Sequence, residues 1–460
     1  MRFLGLTVLA LVVVGTLALG VGWFVAGRAS GPIILITSPE ALIGQAGTLE
    51  ARIQSDSPVS RLDVVVEQNG QSIPVVSFDA RSGGPSPISD QGLLTASLGK
   101  TAQPALVSGP AKLIVTAIRP VLYGLRTAQT QVTRDVLVRL ERPRVAVISL
   151  HHFINLGGAE FAVLRVSPDD VQSGVRVGDA TYPAYPGSAA GLTDSALRVA
   201  FFALRHDQDV AAPISAFARD AAGNESTTPV EHQPFVKKFL QSRIPIDQRF
   251  LDRVVPAIAS NTPELKVDTG TPDGLLKGFL TINGELRRKN SEAITALARK
   301  SRPEMLWKEA FAQMGNSQVE SRFADRRTYF FDDKEIDRQV HLGFDLASVQ
   351  QAPVHASNIG LVLFADFLGI YGNCVIIDHG LGVQSLYAHM SSLGVKPGDS
   401  VTKGQELGRT GATGLAGGDH LHFTMLLQGV PVNPVEWWDP HWMEDRVLRK
   451  IREAGGGLPR

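Results

Sequence analysis

Hydrophobic and polar residues alternate in short runs through most of the first half of the chain. Alternation with a period of two is typical of a β-strand that buries one face. Turn-forming residues separate the runs, and Asn69-Gly70 is a strong signal for a tight hairpin turn. We therefore predict two β-sandwich domains of the immunoglobulin type, over residues 31–142 and 143–234.

After Pro234 the hydrophobic pattern changes to the spacing of helices. Apolar residues recur three and four positions apart, and the opposite face is rich in Lys and Arg. This spacing predicts a small helical region over residues 235–316. Its helices are expected at Phe235–Arg243, Pro245–Ala259, Leu275–Arg288 and Ser291–Arg299. The end of the chain, residues 441–460, is predicted to form one more helix with a Gly-rich tail.

The start of the chain is an apolar run from Phe3 to Gly27, with Arg2 and Arg28 on either side. As a helix it would be about 37 Å long, enough to cross a bilayer core of about 30 Å. A secretory signal has a shorter apolar core, of about 7 to 15 residues. We therefore predict a transmembrane anchor within residues 1–30. Small residues before Ser30 leave a cleaved signal peptide as the alternative.

Composition narrows the possible classes of protein. The 45 basic and 45 acidic residues balance, which argues against nucleic acid as a partner. Cys374 is the single cysteine, so an intramolecular disulfide and a cysteine-based zinc site are both excluded. Cys374 precedes an apolar, strand-like run, which favours a buried structural thiol over a nucleophile.

The pair His420 and His422 carries the clearest chemical signal. Residues two apart share a face on a strand but point about 200° apart on a helix, so the pair predicts a strand. Leu421, Phe423 and Met425 alternate with polar residues and would bury the opposite face.

Other residues of the same region complete a possible metal site. His341 and Asp345 are four apart and share a face in either a helix or a strand. A catalytic zinc ion usually has three protein ligands and keeps one position for water. His341, Asp345 and one histidine of the 420/422 pair would form that set. The other histidine of the pair, together with His389, would then serve in proton transfer.

Several motifs occur together between Ser317 and Trp438. They are His341-x-x-x-Asp345, Tyr371-Gly-Asn-Cys-Val-Ile-Ile-Asp-His-Gly380, Ser385-Leu-Tyr-Ala-His389, Val395-Lys-Pro-Gly-Asp-Ser-Val401, Gly408-Arg-Thr-Gly-Ala-Thr-Gly414, His420-Leu-His-Phe423 and Pro431-Val-Asn-Pro434. In these motifs the segment resembles the lysostaphin-type (LytM-like) zinc endopeptidases, which cut the peptide part of peptidoglycan. The resemblance covers about a quarter of the chain and implies an antiparallel-β peptidase domain over residues 317–440, so the chain as a whole is predicted to be mainly β.

Carried over position by position, the resemblance implies one Zn²⁺ held by His341, Asp345 and His422. His389 and His420 become the catalytic pair, one activating water and the other steadying the oxyanion, with His420 favoured as the base. All five positions are intact, which favours a zinc metalloendopeptidase that hydrolyses stem or crosslink peptides with a metal-activated water.

The alternative is a non-hydrolytic wall-binding or amidase-activating factor with the same fold. The expected partners are peptidoglycan, a membrane through the N-terminal helix, and other proteins of the cell envelope. The expected location is the inner membrane of a bacterium, facing the periplasm or cell wall, or the exterior after signal cleavage.

Overall fold

The computed structural model describes residues 2–456, with side chains from residue 11 onward. It divides into two compact units, Met1–Pro143 with Arg219–Glu225, and Arg144–Ala218 with Ser226–Arg460. Strands predominate, so the prediction of a mainly β protein is confirmed. The end of the Gly-rich tail, residues 457–460, lies outside the described part.

The first unit begins with helix α1 (Arg2–Ala26). The predicted N-terminal helix is therefore present. Within the described residues, however, no helix is long and apolar enough to cross a membrane, and the predicted anchor is not supported.

After α1 the first unit is built from two sheets. A three-stranded sheet has the order β1-β3-β6, and a five-stranded sheet has the order β2-β8-β7-β4-β5. Their buried aliphatic faces, with Leu49 and Leu62 fully covered, form one core, as the alternating pattern requires. The immunoglobulin type stays a prediction. The strands are β1 (Ile33–Ser38), β2 (Leu42–Ile43), β3 (Gly47–Gln54), β4 (Arg61–Gln68), β5 (Gln71–Asp79), β6 (Leu93–Leu98), β7 (Gly109–Val121) and β8 (Arg126–Val138).

The next region contributes two four-stranded sheets, with the orders β14-β15-β11-β9 and β13-β12-β16-β17. Strand β11 is buried on both faces over most of its length, because later parts of the chain pack against it. The strands are β9 (Arg144–Val147), β10 (His152–Asn155), β11 (Ala159–Ser167), β12 (Gln172–Val177), β13 (Ala180–Pro183), β14 (Tyr185–Pro186), β15 (Leu197–Ala203), β16 (Ile214–Arg219) and β17 (Glu225–Pro229).

The region predicted to be helical begins with two strands, β18 (His232–Phe235) and β19 (Gln241–Ile246). The helix predicted over 235–243 is therefore wrong, because β19 instead pairs in parallel with β21 (Asp325–Phe331). Helices follow as expected from the apolar spacing. They are α2 (Gln248–Ser260), α3 (Pro272–Thr281) and α4 (Arg287–Ala298), and a π-helical turn (Ile282–Leu286) joins the last two.

Residues 317–440 hold the sheet with the most strands in the described part of the chain, with the antiparallel order β20-β23-β31-β27-β26-β25-β29 and β32 paired to β31. Two small sheets flank it, β19-β21-β22 and β24-β30-β28. The strands are β20 (Gln318–Ser321), β21 (Asp325–Phe331), β22 (Lys334–His341), β23 (Phe344–Ala347), β24 (Pro353–His355), β25 (Gly360–Phe367), β26 (Asn373–Gly380), β27 (Val383–Met390), β28 (Ser392–Leu393), β29 (Ser400–Val401), β30 (Glu406–Arg409), β31 (Leu421–Leu427) and β32 (Val430–Val432).

Short helices close the chain and share a core with the sheet that contains β11. They are α5 (Pro434–Trp438), α6 (Pro440–Met443) and α7 (Arg449–Glu453), with a π-helical turn (Glu444–Leu448) between the last two. The ring of Trp437 lies 5.4 Å from that of Phe201 between centroids. Lys450 on α7 forms a buried ion pair with Glu160 on β11, with 2.7 Å between Nζ and Oε1.

Candidate active site

Three strands bring His341, Asp345 and His422 together. His341 is the last residue of β22, and Asp345 lies in β23, directly opposite His422 of β31. Between them, Gly343 leaves no room for a side chain, since an added Cβ would lie 2.6 Å from Cε1 of His422. The close approach of the three residues therefore depends on glycine at this position.

The strand predicted from the 420/422 spacing is present. His422 lies in β31, and His420 precedes it in an isolated bridge to Gly411. Leu421 and Phe423 are buried on the opposite face, as the alternation requires. On the neighbouring strand β27, Ala388 pairs with His422, and regular alternation would direct the next residue, His389, to the opposite face. The positive φ of 63° at His389 breaks this alternation, and its side chain lines the same cavity.

The three predicted ligands offer one atom each within 4.8 Å of one another, an arrangement that could hold a metal ion. Oδ1 of Asp345 lies 2.9 Å from Nε2 of His341 and 3.0 Å from Nδ1 of His422. The two ring nitrogens are 2.9 Å apart. We refer to His341, Asp345 and His422 as the His-Asp-His cluster.

The outer hydrogen bonds of the cluster determine where its lone pairs point. Nδ1 of His341 lies 3.2 Å from the carbonyl of Arg322, which can only accept, so this nitrogen carries the hydrogen. Thr424 donates its hydroxyl hydrogen to the carbonyl of Leu342 and therefore accepts from Nε2 of His422. Nε2 of His341 and Nδ1 of His422 are thus left with lone pairs that face each other and the carboxylate. Two imidazoles and one carboxylate form a donor set that suits zinc.

The other two histidines are held in a similar way. His389, at a positive φ of 63°, directs Nδ1 to the carbonyl of Thr413 at 2.8 Å. His420 directs Nδ1 to the carbonyl of Gly418 at 2.9 Å, and its Nε2 lies 3.4 Å from Oδ1 of Asp345. The two rings are 4.9 Å apart between centroids. In both residues Nε2 remains available for proton transfer.

Burial and charge move the pKa values of these groups in different directions. Burial would raise the pKa of Asp345, but the surrounding imidazoles hold it well below its usual value. Burial lowers the pKa of His422 to about 4. Burial, together with the neighbouring rings of His420 and His422, also lowers the pKa of His389 well below its usual value. For His420 burial is outweighed by Asp345, whose hydrogen bond and charge raise the pKa of the ring.

All five predicted residues line one cavity of about 100 Å³. The sequence reasoning missed the rest of its lining. Arg253 of α2 donates to the carbonyls of Ala416 and Gly417, so the helical region holds the loop that forms one side of the cavity. The additional lining residues are Arg287, Arg327, Tyr329, Ile370, Tyr371, Leu415 and Gly417.

Two other histidines and the single cysteine lie apart from this cavity. His355 is exposed on β24, and His379 is buried with its ring bonded to the carbonyl of Ile359 and the hydroxyl of Ser385. Cys374 is fully buried, and burial raises the pKa of its thiol.

A β-sheet domain with a buried His-Asp-His cluster and two further histidines is suited to metal-dependent hydrolysis. Comparison with known proteins agrees, because residues 339–434 match Peptidase family M23. The chain therefore carries an M23 peptidase domain in its C-terminal part.

Three relatives illustrate the similarity. The chain is 43% identical over 97 residues to DD-carboxypeptidase/endopeptidase Mpg of Neisseria meningitidis, covering 21% of this chain and 22% of that protein. It is 28% identical over 163 residues to peptidoglycan DD-endopeptidase ShyA of Vibrio cholerae, covering 35% and 34%. It is 36% identical over 95 residues to murein hydrolase activator EnvC of Escherichia coli, covering 21% and 23%. The matched parts thus span between about a fifth and a third of these relatives.

Proposed function

We propose that the protein is a zinc-dependent endopeptidase that hydrolyses stem or crosslink peptides of bacterial peptidoglycan. The observation that carries the proposal is the His-Asp-His cluster, in which the lone pairs of two ring nitrogens and a carboxylate oxygen converge. Such a cluster, buried and without a cation, would place acceptors against acceptors, which is unfavourable in an interior of low dielectric.

The relatives support the substrate. Mpg is named a DD-carboxypeptidase/endopeptidase and ShyA a peptidoglycan DD-endopeptidase, and both match the segment that holds the cluster. Because peptidoglycan lies outside the inner membrane, we place the activity of this chain in the periplasm or cell wall.

His341, Asp345 and His422 would hold the zinc ion, which when bound would supply Lewis-acid chemistry towards water and the scissile carbonyl. We assign the role of base to His420, because its Nδ1 is held by the carbonyl of Gly418 while its Nε2 faces the cluster, 3.4 Å from Oδ1 of Asp345. The proton that His420 accepts from the attacking water can then pass to the departing amine. His389 would stabilise the oxyanion. Because its Nδ1–H is bonded to the carbonyl of Thr413 and burial lowers the pKa of the ring, this role requires the developing negative charge to draw a second proton to Nε2.

The experiment is to incubate the purified protein with peptidoglycan and compare muropeptide profiles. We expect new products from the wild type and from His355→Ala, which alters an exposed histidine. A chelator, and separately His422→Ala, should abolish those products. Identical profiles in all four samples would rule out hydrolysis, and the products themselves would identify the bond that is cut.

The second candidate is an activator of a cell-envelope amidase. The similarity to EnvC, named a murein hydrolase activator, favours it. An activator needs the surface of the domain but not its ligands, so His422→Ala would retain stimulation of a partner amidase. Because all five residues of the predicted site are present and converge, we favour the peptidase.

A further inference from the structure

Two side chains from the strands before the M23 match contact the His-Asp-His cluster from outside. Nη2 of Arg327 donates to Oδ2 of Asp345 at 3.0 Å and to Oγ of Ser321 at 2.7 Å. Oγ of Ser321 in turn lies 3.2 Å from Nδ1 of His341. We propose that Arg327, together with Ser321, is a positioning residue that fixes Asp345 and His341 for metal binding. The proposal rests on the proposed function in that it takes these residues as ligands.

The contact with Asp345 determines which carboxylate oxygen faces the metal position. Arg327 binds Oδ2, whereas Oδ1 faces His341, His420 and His422. A guanidinium group binds with a fixed planar geometry, so it holds the plane of the carboxylate as well as neutralising its second oxygen. Without Arg327, Asp345 would be free to rotate and to leave its position between the two rings.

Ser321, which accepts a hydrogen bond from Arg327, contacts the second ligand, His341. The carbonyl of Arg322 requires a hydrogen on Nδ1 of His341, and Oγ of Ser321 is a second acceptor for that hydrogen. Both contacts favour the tautomer in which Nε2 carries the lone pair. Hydrogen bonds of this kind orient metal ligands and increase their basicity.

Arg327 is itself fixed by its neighbours, which a positioning role requires. It lies in β21, where its Nε is 3.4 Å from Oδ2 of Asp325. Oδ1 of Asp325 accepts a hydrogen bond of 2.9 Å from Ser242 on β19, the strand that pairs in parallel with β21. Hydrogen bonds therefore run from β19 through Asp325 and Arg327 to Asp345.

The test measures the zinc affinity of Arg327→Met by competition with a chelator. We expect an affinity about 10- to 100-fold lower than that of the wild type, the size found for outer partners of metal ligands. The visible spectrum of the cobalt-substituted protein should change as well, because that spectrum reports the geometry of the ligands. Arg327→Lys should restore part of the affinity by returning a donor and a charge.

Arg326→Met is the matched control, since Arg326 is the next residue on the same strand and its side chain is exposed. It should bind zinc as the wild type does. Ser321→Ala removes the contacts of its hydroxyl with Arg327 and His341 but keeps the contact between Arg327 and Asp345. It replaces Arg327→Met if that variant fails to fold, and we expect a smaller loss of affinity. Wild-type affinity and an unchanged cobalt spectrum in the folded variants would overturn the proposal.

The outcomes separate this proposal from the proposed function. A wild-type protein that binds zinc but leaves peptidoglycan uncut overturns the proposed hydrolysis and leaves the role of Arg327 to be decided by the affinities. A wild-type protein that binds no zinc overturns both.

Discussion

The second unit buries two charged clusters of similar size that differ in how their hydrogen bonds are satisfied. In the Glu160–Lys450 pair donors face acceptors: Nζ of Lys450 donates to Oε1 of Glu160 and to the carbonyl of Phe161. Oε2 of Glu160 accepts from the backbone of Phe153. In the His-Asp-His cluster, by contrast, the outer atoms are paired and the inner atoms are all acceptors.

This difference distinguishes a structural cluster from a functional one. A buried pair whose donors face acceptors requires no further ligand, and removing the pair lowers the stability of the fold. A buried set of convergent acceptors is incomplete until a cation occupies it. We therefore expect substitutions in the two clusters to separate stability from activity.

The sharpest test makes the same change, carboxylate to amide, in each cluster. Asp345→Asn should lower hydrolysis by about 10³-fold or more, corresponding to roughly 4 kcal/mol of lost transition-state stabilisation from the metal. Glu160→Gln should leave the rate and zinc content of the folded protein unchanged while lowering its melting temperature. Equal loss of activity in both variants would show that the two clusters do not divide in this way.

The second prediction concerns how much the Glu160–Lys450 pair stabilises the folded protein. Lys450→Met leaves the carboxylate of Glu160 buried without its cation, which should reduce the free energy of unfolding by about 3 to 5 kcal/mol. Arg449→Met, next to it on α7, removes only ion pairs of a partly exposed side chain and should cost at most about 1 kcal/mol. Urea unfolding of the two variants checks this, and equal losses would contradict it.

We expect a smaller change in the free energy of unfolding from Glu436, whose side chain links α5 to the neighbouring strands. Its oxygens accept from Asn155 and from the backbone of Ala159, and burial raises the pKa of Glu436 to about 7. Because the folded pKa lies above the unfolded one, the stability contribution is complete below about pH 4.5 and is lost as the pH rises through about 7. The loss is at most about 3 kcal/mol.

Glu436→Gln should remove this dependence on pH. Urea unfolding at about pH 5 and about pH 8 measures it as the difference between the wild type and the variant. An identical pH dependence in both proteins would mean that Glu436 remains ionised throughout.

How far the sequence predicts the structure depends on the range of each interaction. The extended backbone at His420 and His422 could be predicted because it follows from a spacing of two residues. The five predicted residues do line one cavity, although their roles stay predictions. The Glu160–Lys450 pair could not be predicted, because its members are 290 positions apart and neither carries a local signal.

Two further differences between the sequence predictions and the structure have physical causes. Asp325, Arg327 and Tyr329 alternate along β21 and share a face, a signal that could have placed Arg327 near the site. Its partner Asp345 belongs to another sheet, so the contact itself needed the tertiary structure. The helix predicted at 235–243 failed because pairing with β21 outweighs the local apolar spacing.

The parallel pairing of β19 with β21 has a consequence for dissecting the protein. Strand β19 comes before the three helices in the chain, yet in space it lies beside the strand that carries Arg327. A shortened chain beginning at residue 317 would expose the edge of β21 and lose the hydroxyl of Ser242 that binds Asp325. The smallest fragment expected to keep an intact metal-binding centre therefore starts before residue 241, almost a hundred residues ahead of the M23 match at 339.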